Sequence, residues 1–156
     1  MRITKYTTKI NQKTMRTELV KEKAVNYSAC KKLNNPQLIV QAMNQLFDLQ
    51  NMSKEYLYML TFNNKCDLRG VFEISHGTVN SSIASPREIF NKALLVGAVN
   101  IVLVHNHPSG DVEASREDLL LTRRVKDSGQ LLNVELLDHI IIGLESFNSM
   151  KETNLL

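Results

Sequence analysis

Residues 101–122 read IVLVHNHPSGDVEASREDLLLT, and the order of apolar run, polar loop and capped helix in this stretch decides the fold. Ile101–Val104 is apolar without interruption, the pattern of an interior strand covered on both faces. His105–Ala114 reads as a polar loop containing Pro108 and Gly110. Ser115 then opens a helix. Its hydroxyl can accept from the amide three residues on, and Asp118 can return the bond while complementing the helix dipole. Leu119, Leu120, Thr122, Arg123 and Val125 alternate between core and solvent, with an end expected near Gly129.

Working outward, Val134–Ile142 has the composition of a strong strand, and 148–156 reads as a polar end. Upstream, Ser85-Pro86-Arg87-Glu88 is a second helix start, with Ser85 as cap, Pro86 in the first turn and Glu88 completing a capping box. Ile89, Phe90, Ala93 and Leu94 supply its apolar face. Glu55–Phe62 is short and aromatic-rich, hence a buried strand, and a turn at Asn63-Asn64-Lys65 leads to a hairpin partner over Leu68–Ile74. Asn35-Pro36 begins the first helix, whose apolar residues Leu38, Ile39, Ala42, Met43, Leu46 and Phe47 recur at helical spacing to about Leu49. Residues 1–15 lack a sustained period and read as a tail or an added edge strand. The expectation is an α/β (α+β) fold, a mixed sheet flanked by helices. Its body is one domain over 35–147, preceded by a basic N-terminal segment (1–34) and followed by the polar end (148–156).

The chain has 156 residues, the size of one ordinary domain, and 43% hydrophobic with 22% charged residues is a globular rather than a disordered mix. No apolar run approaches the roughly 20 residues needed to cross a bilayer. No apolar segment of a secretory signal follows Met1, so a cytoplasmic location is expected. Cys30 and Cys66 stand too far apart for a zinc knuckle or redox pair and read as reduced, partly buried thiols. The net charge of +3 is uneven: residues 1–34 hold nine Lys/Arg against two acids, Glu18 and Glu22. A basic leading segment can contact nucleic acid weakly and without sequence preference, although these charges are scattered rather than clustered.

The chemistry lies in His105-Asn106-His107, seven further residues, Ser115, two more, and Asp118. Side chains at i and i+2 of an extended segment project to one side, so both imidazoles can reach one ion. Asp118, in the first turn of the following helix, is brought back to the strand end by the loop. Two imidazoles and one carboxylate leave the fourth tetrahedral position open, as in catalytic rather than structural zinc sites. Bound zinc would lower the pKa of water from about 15.7 towards 7. Taken singly, Ser115 and Asp118 are explained as helix caps, and one histidine after a strand as a surface residue. The joint pattern has few structural reasons to exist. It is not a ββα-metal nuclease, which spreads its histidines and asparagine over a larger unit. The H-x-E and P-C-x-x-C of a zinc deaminase and the H-E-x-x-H of a zincin do not occur.

H-x-H-x7-S-x-x-D is the motif of the JAMM (MPN+) metallopeptidases, and this chain resembles their RadC branch. HNHPSG (105–110), SREDLLLT (115–122), SPREIF (85–90) and LLDHIIIG (136–143) carry the likeness, which runs from about Glu55 to Phe147. The resemblance implies an MPN/JAB, cytidine-deaminase-like architecture and zinc held by His105, His107 and Asp118. It also implies an upstream glutamate as general acid and base. Glu55, between the first helix and its strand, holds that position, with Glu73 the rival, since Glu88 is explained by its cap. Ser115 would donate to the oxyanion. Asn106 is read as shaping the loop. Asp138 and His139 share the likeness without an assigned role, and a packed or hydrogen-bonded histidine is expected. The chain departs from longer members in being too short to hold their preceding helix-hairpin-helix-like region. The implied activity is zinc-dependent cleavage of an amide bond in a protein or peptide. The alternative is a factor of DNA repair or recombination that binds nucleic acid through residues 1–34.

Overall fold

The computed structural model describes residues 1–77 and 84–156. Its strands are β1 (Arg2–Asn11), β2 (Arg16–Asn26), β3 (Glu55–Phe62), β4 (Leu68–Gly77), β5 (Asn100–Asn106), β6 (Glu135–Ile142) and β7 (Phe147–Ser149). Its helices are α1 (Pro36–Phe47), α2 (Pro86–Leu95) and α3 (Arg116–Leu132). The strands form one mixed seven-stranded sheet in the order β2-β1-β4-β3-β5-β6-β7. The β1/β4 and β5/β6 pairs are parallel and the others antiparallel. The fold is therefore α/β. Among the described residues, no helix is long and apolar enough to cross a membrane.

Alternation along the central strands divides the core. Tyr58, Leu60, Phe62, Val102 and Val104 pack under α1 with Ile39, Ala42 and Met43. Leu57, Met59, Ile101 and Leu103 pack on the opposite face with Ile89, Phe90 and Ala93 of α2 and Val125 of α3. Because side chains alternate, His105 shares the face of Ile101 and Leu103 and lies on the α3 side. His105 and Asn106 are ladder residues of β5, paired with Leu57 and Ile142, and not the start of the loop. Pairing on both flanks carries the strand beyond its apolar run.

The helices begin where their caps lie. Asn35 accepts from Leu38 N, Ser85 from Glu88 N, and Ser115 with Asp118 forms a complete capping box. At α2 the Glu88 carboxylate lies 3.9 Å from Lys92, so the described contacts give half of a box there. α1 ends at Phe47, and Leu49 opens a short 3₁₀ turn. α3 continues past Gly129 to Leu132, where Asn133 closes it in a left-handed conformation. Gly129 serves as a contact point instead of a terminus: a Cβ there would stand 2.3 Å from the carbonyl oxygen of Val134.

Of the two readings of residues 1–15, tail or added edge strand, the strand holds, although β2 and not β1 takes the edge. Together with the residues that follow they form the β1–β2 hairpin, which joins the sheet through Lys5↔Val71 and Tyr6↔Phe72. Gly70 leaves room for the Tyr6 ring, which would lie 2.6 Å from a Cβ at that position. The polar end likewise holds structure: β7 pairs with β6, and Met150 is buried. Of the two free cysteines, Cys30 is half-buried and Cys66 exposed.

A charged cluster fastens the hairpin. Lys5 Nζ lies 3.0 Å from Glu73 and 3.1 Å from Glu22, and His76 Nδ1 lies 2.7 Å from Glu73. Burial works to raise the Glu73 carboxyl, but the hydrogen bonds from Lys5 and His76 outweigh it and hold it below its ordinary value. A depressed carboxyl stabilises the fold above its unfolded pKa and loses that contribution as pH falls through the folded value. Glu73→Gln is therefore expected to cost about 1 kcal/mol at pH 7, with the difference from wild type closing in acid. Urea unfolding across pH measures it, and a gap that widens in acid would contradict the assignment.

Candidate metal centre

The site lies at the end of the sheet where β5 finishes, β3 begins and β4 leaves. Glu55 is the first residue of β3 and pairs with Gly77, the last of β4. His105 reaches the same end from β5, and His107 follows it beyond the ladder. Asp118 comes from the first turn of α3. Ligand-capable atoms of Glu55, His105, His107 and Asp118 all lie within 4.8 Å of one another, a group that could hold a metal ion. A cleft of about 420 Å³ opens onto it, lined by Lys54, Glu55, Gly77, His107, Ser115 and Asp118. His105 does not line the cleft but lies behind His107 and Asp118, 2% exposed.

The distances favour an ion. His105 Nε2 is 3.0 Å from His107 Nε2 and 3.2 Å from Asp118 Oδ1, and His107 Nε2 is 3.3 Å from Asp118 Oδ2. Ligand bonds of about 2.0–2.1 Å around a tetrahedral ion set neighbouring ligand atoms roughly 3.3 Å apart. All three contacts are close to that spacing, with the carboxylate turning one oxygen to each imidazole. His107 Nδ1 lies 2.7 Å from the carbonyl oxygen of Asp111, which can only accept. The ring proton is therefore on Nδ1, and the Nε2 lone pair is directed at the centre.

Asp118 is held more tightly than a cap requires. Its Oδ2 accepts from Ser115 N at 2.9 Å and from Ser115 Oγ at 2.6 Å, while its own N–H donates to Ser115 Oγ at 3.1 Å. Burial works to raise the Asp118 carboxyl, but its contacts with the His105 and His107 imidazoles, with the hydrogen bond from Ser115, prevail and hold it well below the carboxylate range. The same contact with Asp118 raises His107 above its ordinary value. An anion facing two imidazoles is a poised cation site.

Other residues support these. Asn106 is 1% exposed and does not shape the loop: its Oδ1 accepts from Tyr56 N, and its Nδ2 donates to the carbonyls of Met52 and Lys54. It thereby fixes the segment that carries Glu55. Asn148 of β7 donates to Val112 O and steadies the loop after His107. Glu73 lies in the hairpin cluster and is not a member of the metal group. Asp138 accepts from Ser149 Oγ, His139 N and Lys151 N, tying β7 to β6. His139 is wholly buried beside His105, and burial pushes its pKa well down. Nothing in residue spacing identifies the supporting roles of Asn106 or Asn148, because each depends on backbone groups far away in sequence.

The model of a family described as "RadC-like JAB domain" matches residues 33–155. Similar curated proteins include a UPF0758 protein of Desulforamulus reducens, 43% identical over 109 residues, covering 70% of this chain and 48% of that one. A UPF0758 protein of Bacillus licheniformis is 47% identical over 105 residues (67% and 47%). One of Desulfitobacterium hafniense is 39% identical over 124 residues (80% and 54%). The chain thus spans about half the length of the curated relatives it matches. The β1–β2 hairpin lies before the matched residues.

If His105, His107 and Asp118 hold an ion, single substitutions among them should release it. Protein purified with its metal is expected to carry about one divalent ion per chain, and His107→Ala or Asp118→Ala to keep less than about a tenth of it while remaining folded. Elemental analysis alongside circular dichroism reads both, and undiminished metal in either variant would remove that residue from the site.

Proposed function

The chain belongs to the RadC-like JAB domain family, and from that premise we propose that it is a zinc-dependent hydrolase cleaving an amide bond in a protein or peptide. The observation carrying the reading is the grouping of His105 Nε2, His107 Nε2 and the Asp118 carboxylate, with Glu55 beside them in the lining of an open cleft. Two imidazoles and a carboxylate suit zinc and leave room for water and substrate. Zinc, when bound, would make hydroxide available near neutral pH and polarise the scissile carbonyl.

The protein's own groups do the rest. Glu55 takes the proton of the attacking water at a carboxylate oxygen and returns it to the departing amine. Asn106, through three hydrogen bonds to residues 52–56, keeps that carboxylate at the cleft. The Ser115 hydroxyl, now donating to Asp118 Oδ2, is near enough to turn towards a developing oxyanion. The substrate's side chains are not specified by these groups, so peptide and isopeptide bonds both suit the chemistry.

A second reading, nucleic-acid association in repair or recombination, draws on one feature. β1 runs parallel to β4, so the turn after β1 lies at the Glu55 end of the sheet, and Lys9, Lys13 and Arg16 around it are exposed. Contact through those cations would be weak, non-specific and strongly salt-dependent.

Glu55 is not proposed as a zinc ligand, so Glu55→Gln is expected to retain zinc while hydrolysis falls about 10²–10⁴-fold, the range for losing a general base. Ser115→Ala is expected to lose activity together with about 1 kcal/mol of stability, because the helix cap goes with the hydroxyl. A panel of peptide and isopeptide conjugates, assayed with metal content and melting temperature, separates the two. Full activity of Glu55→Gln on a zinc-dependent substrate would sink the assignment of the base.

A further inference from the structure

We propose that His139 is a positioning residue for the metal centre: together with Thr122 it locks His105 in the tautomer whose Nε2 lone pair faces the ion. The inference rests on the zinc reading above but follows from a separate set of contacts.

The argument starts from one hydroxyl. Thr122 Oγ1 lies 2.7 Å from the main-chain oxygen of Asp118. A carbonyl can only accept, so the hydroxyl hydrogen points there. Met150 Sδ, at 3.3 Å, is a weaker acceptor and does not compete for it. The hydroxyl's lone pairs then need a donor, and His139 Nδ1 stands 2.6 Å away. That nitrogen carries the ring hydrogen. His139 is wholly buried, and its two nitrogens face a hydroxyl and another imidazole. A second ring proton would create a buried charge with no anion in contact, which is costly. Its Nε2 is therefore bare.

His105 Nδ1 lies 2.9 Å from that bare nitrogen and must donate to it. The remaining nitrogen of His105, Nε2, is then free of hydrogen, and it is the atom that meets His107 and Asp118. His107 reaches the same tautomer through the carbonyl of Asp111. Two lone pairs 3.0 Å apart repel each other unless a proton or a cation lies between them. The chain of bonds starts at the Asp118 carbonyl and returns to within 3.2 Å of the same residue's carboxylate, where a bare nitrogen and an anionic oxygen need a proton or a cation between them.

The register makes this arrangement. Ile101 pairs with Leu136 but Val102 with Asp138, so β6 carries one extra residue at Leu137. Beyond it His139 stands opposite Leu103, on the face that also carries His105, and Asp138 turns to the other face with Val102.

Partners of a ligand imidazole typically alter metal affinity 10–100-fold when removed. The test compares wild type with His139→Phe, which keeps a ring without an acceptor, His139→Gln, which keeps an acceptor and a donor, and Thr122→Val. Zinc affinity is measured by competition with a chromophoric chelator, and the His105 tautomer by long-range ¹H–¹⁵N correlation in the metal-free protein. The expected result is an Nδ1–H His105 in wild type. His139→Phe should bind zinc about 10–100-fold more weakly and move His105 towards the Nε2–H form, with part of both recovered in His139→Gln. Thr122→Val should weaken zinc in the same direction. It carries the comparison if circular dichroism shows His139→Phe unfolded. Unchanged zinc affinity in the folded variants, or an Nε2–H His105 in wild type, would overturn the proposal. Wild type that binds no zinc would instead defeat the zinc reading, and the tautomer measurement would still decide this one.

Discussion

Asp118 meets two imidazoles with a carboxylate that also caps a helix, and the arrangement of this end of the molecule hangs on that double use. The capping box needs the side chain turned back towards Ser115, and the same turn aims Oδ1 and Oδ2 at His105 and His107. Helix stability and ligand geometry therefore ask for one rotamer. Taking this carboxylate out of water is costly; two hydrogen bonds from Ser115 offset part of the cost, and a cation shared with the two imidazoles would offset more. The helix start thus belongs to the centre as much as the strand does.

From that contact the remaining architecture can be read as support. β5 brings His105 under α3 because its side chains alternate, and Asn106, on the opposite face, reaches back to hold the start of β3. β6 supplies His139 behind His105, and β7 steadies the loop between His107 and Ser115. The four members of the metal group come from two strands, one loop and one helix. No one of them is rigid without the ladder beneath it.

Much of this was legible in the residues, for identifiable reasons. Helix starts carry their own chemistry, so Asn35-Pro36, Ser85-Pro86 and Ser115 located α1, α2 and α3 to the residue. β3 stood out because it is apolar and bounded by a turn. The grouping of His105, His107 and Asp118 followed from their spacing around one strand and one helix. The rest depends on long-range partners. β1 and β2 are rich in Lys and Thr and show no one-sided apolar pattern, since much of each strand lies near solvent. Their assignment needs β4. β7 is three residues long and is held by Asp138, which no local signal announces. The contact of His139 with His105 depends on a bulge, and a bulge leaves no mark in composition.

The hairpin's attachment also bears on the order in which the molecule assembles. β1 and β2 pair along their whole lengths within the first 26 residues, a local contact that forms quickly. Their seat in the sheet is different: Lys5 and Tyr6 must find Val71 and Phe72, in parallel, across a long intervening loop. That seat exists only once β4 has paired with β3. The hairpin is thus a preformed part that docks late. In native-state hydrogen exchange its outer half should open as a unit well before the β3–β5–β6 ladder that carries the metal group.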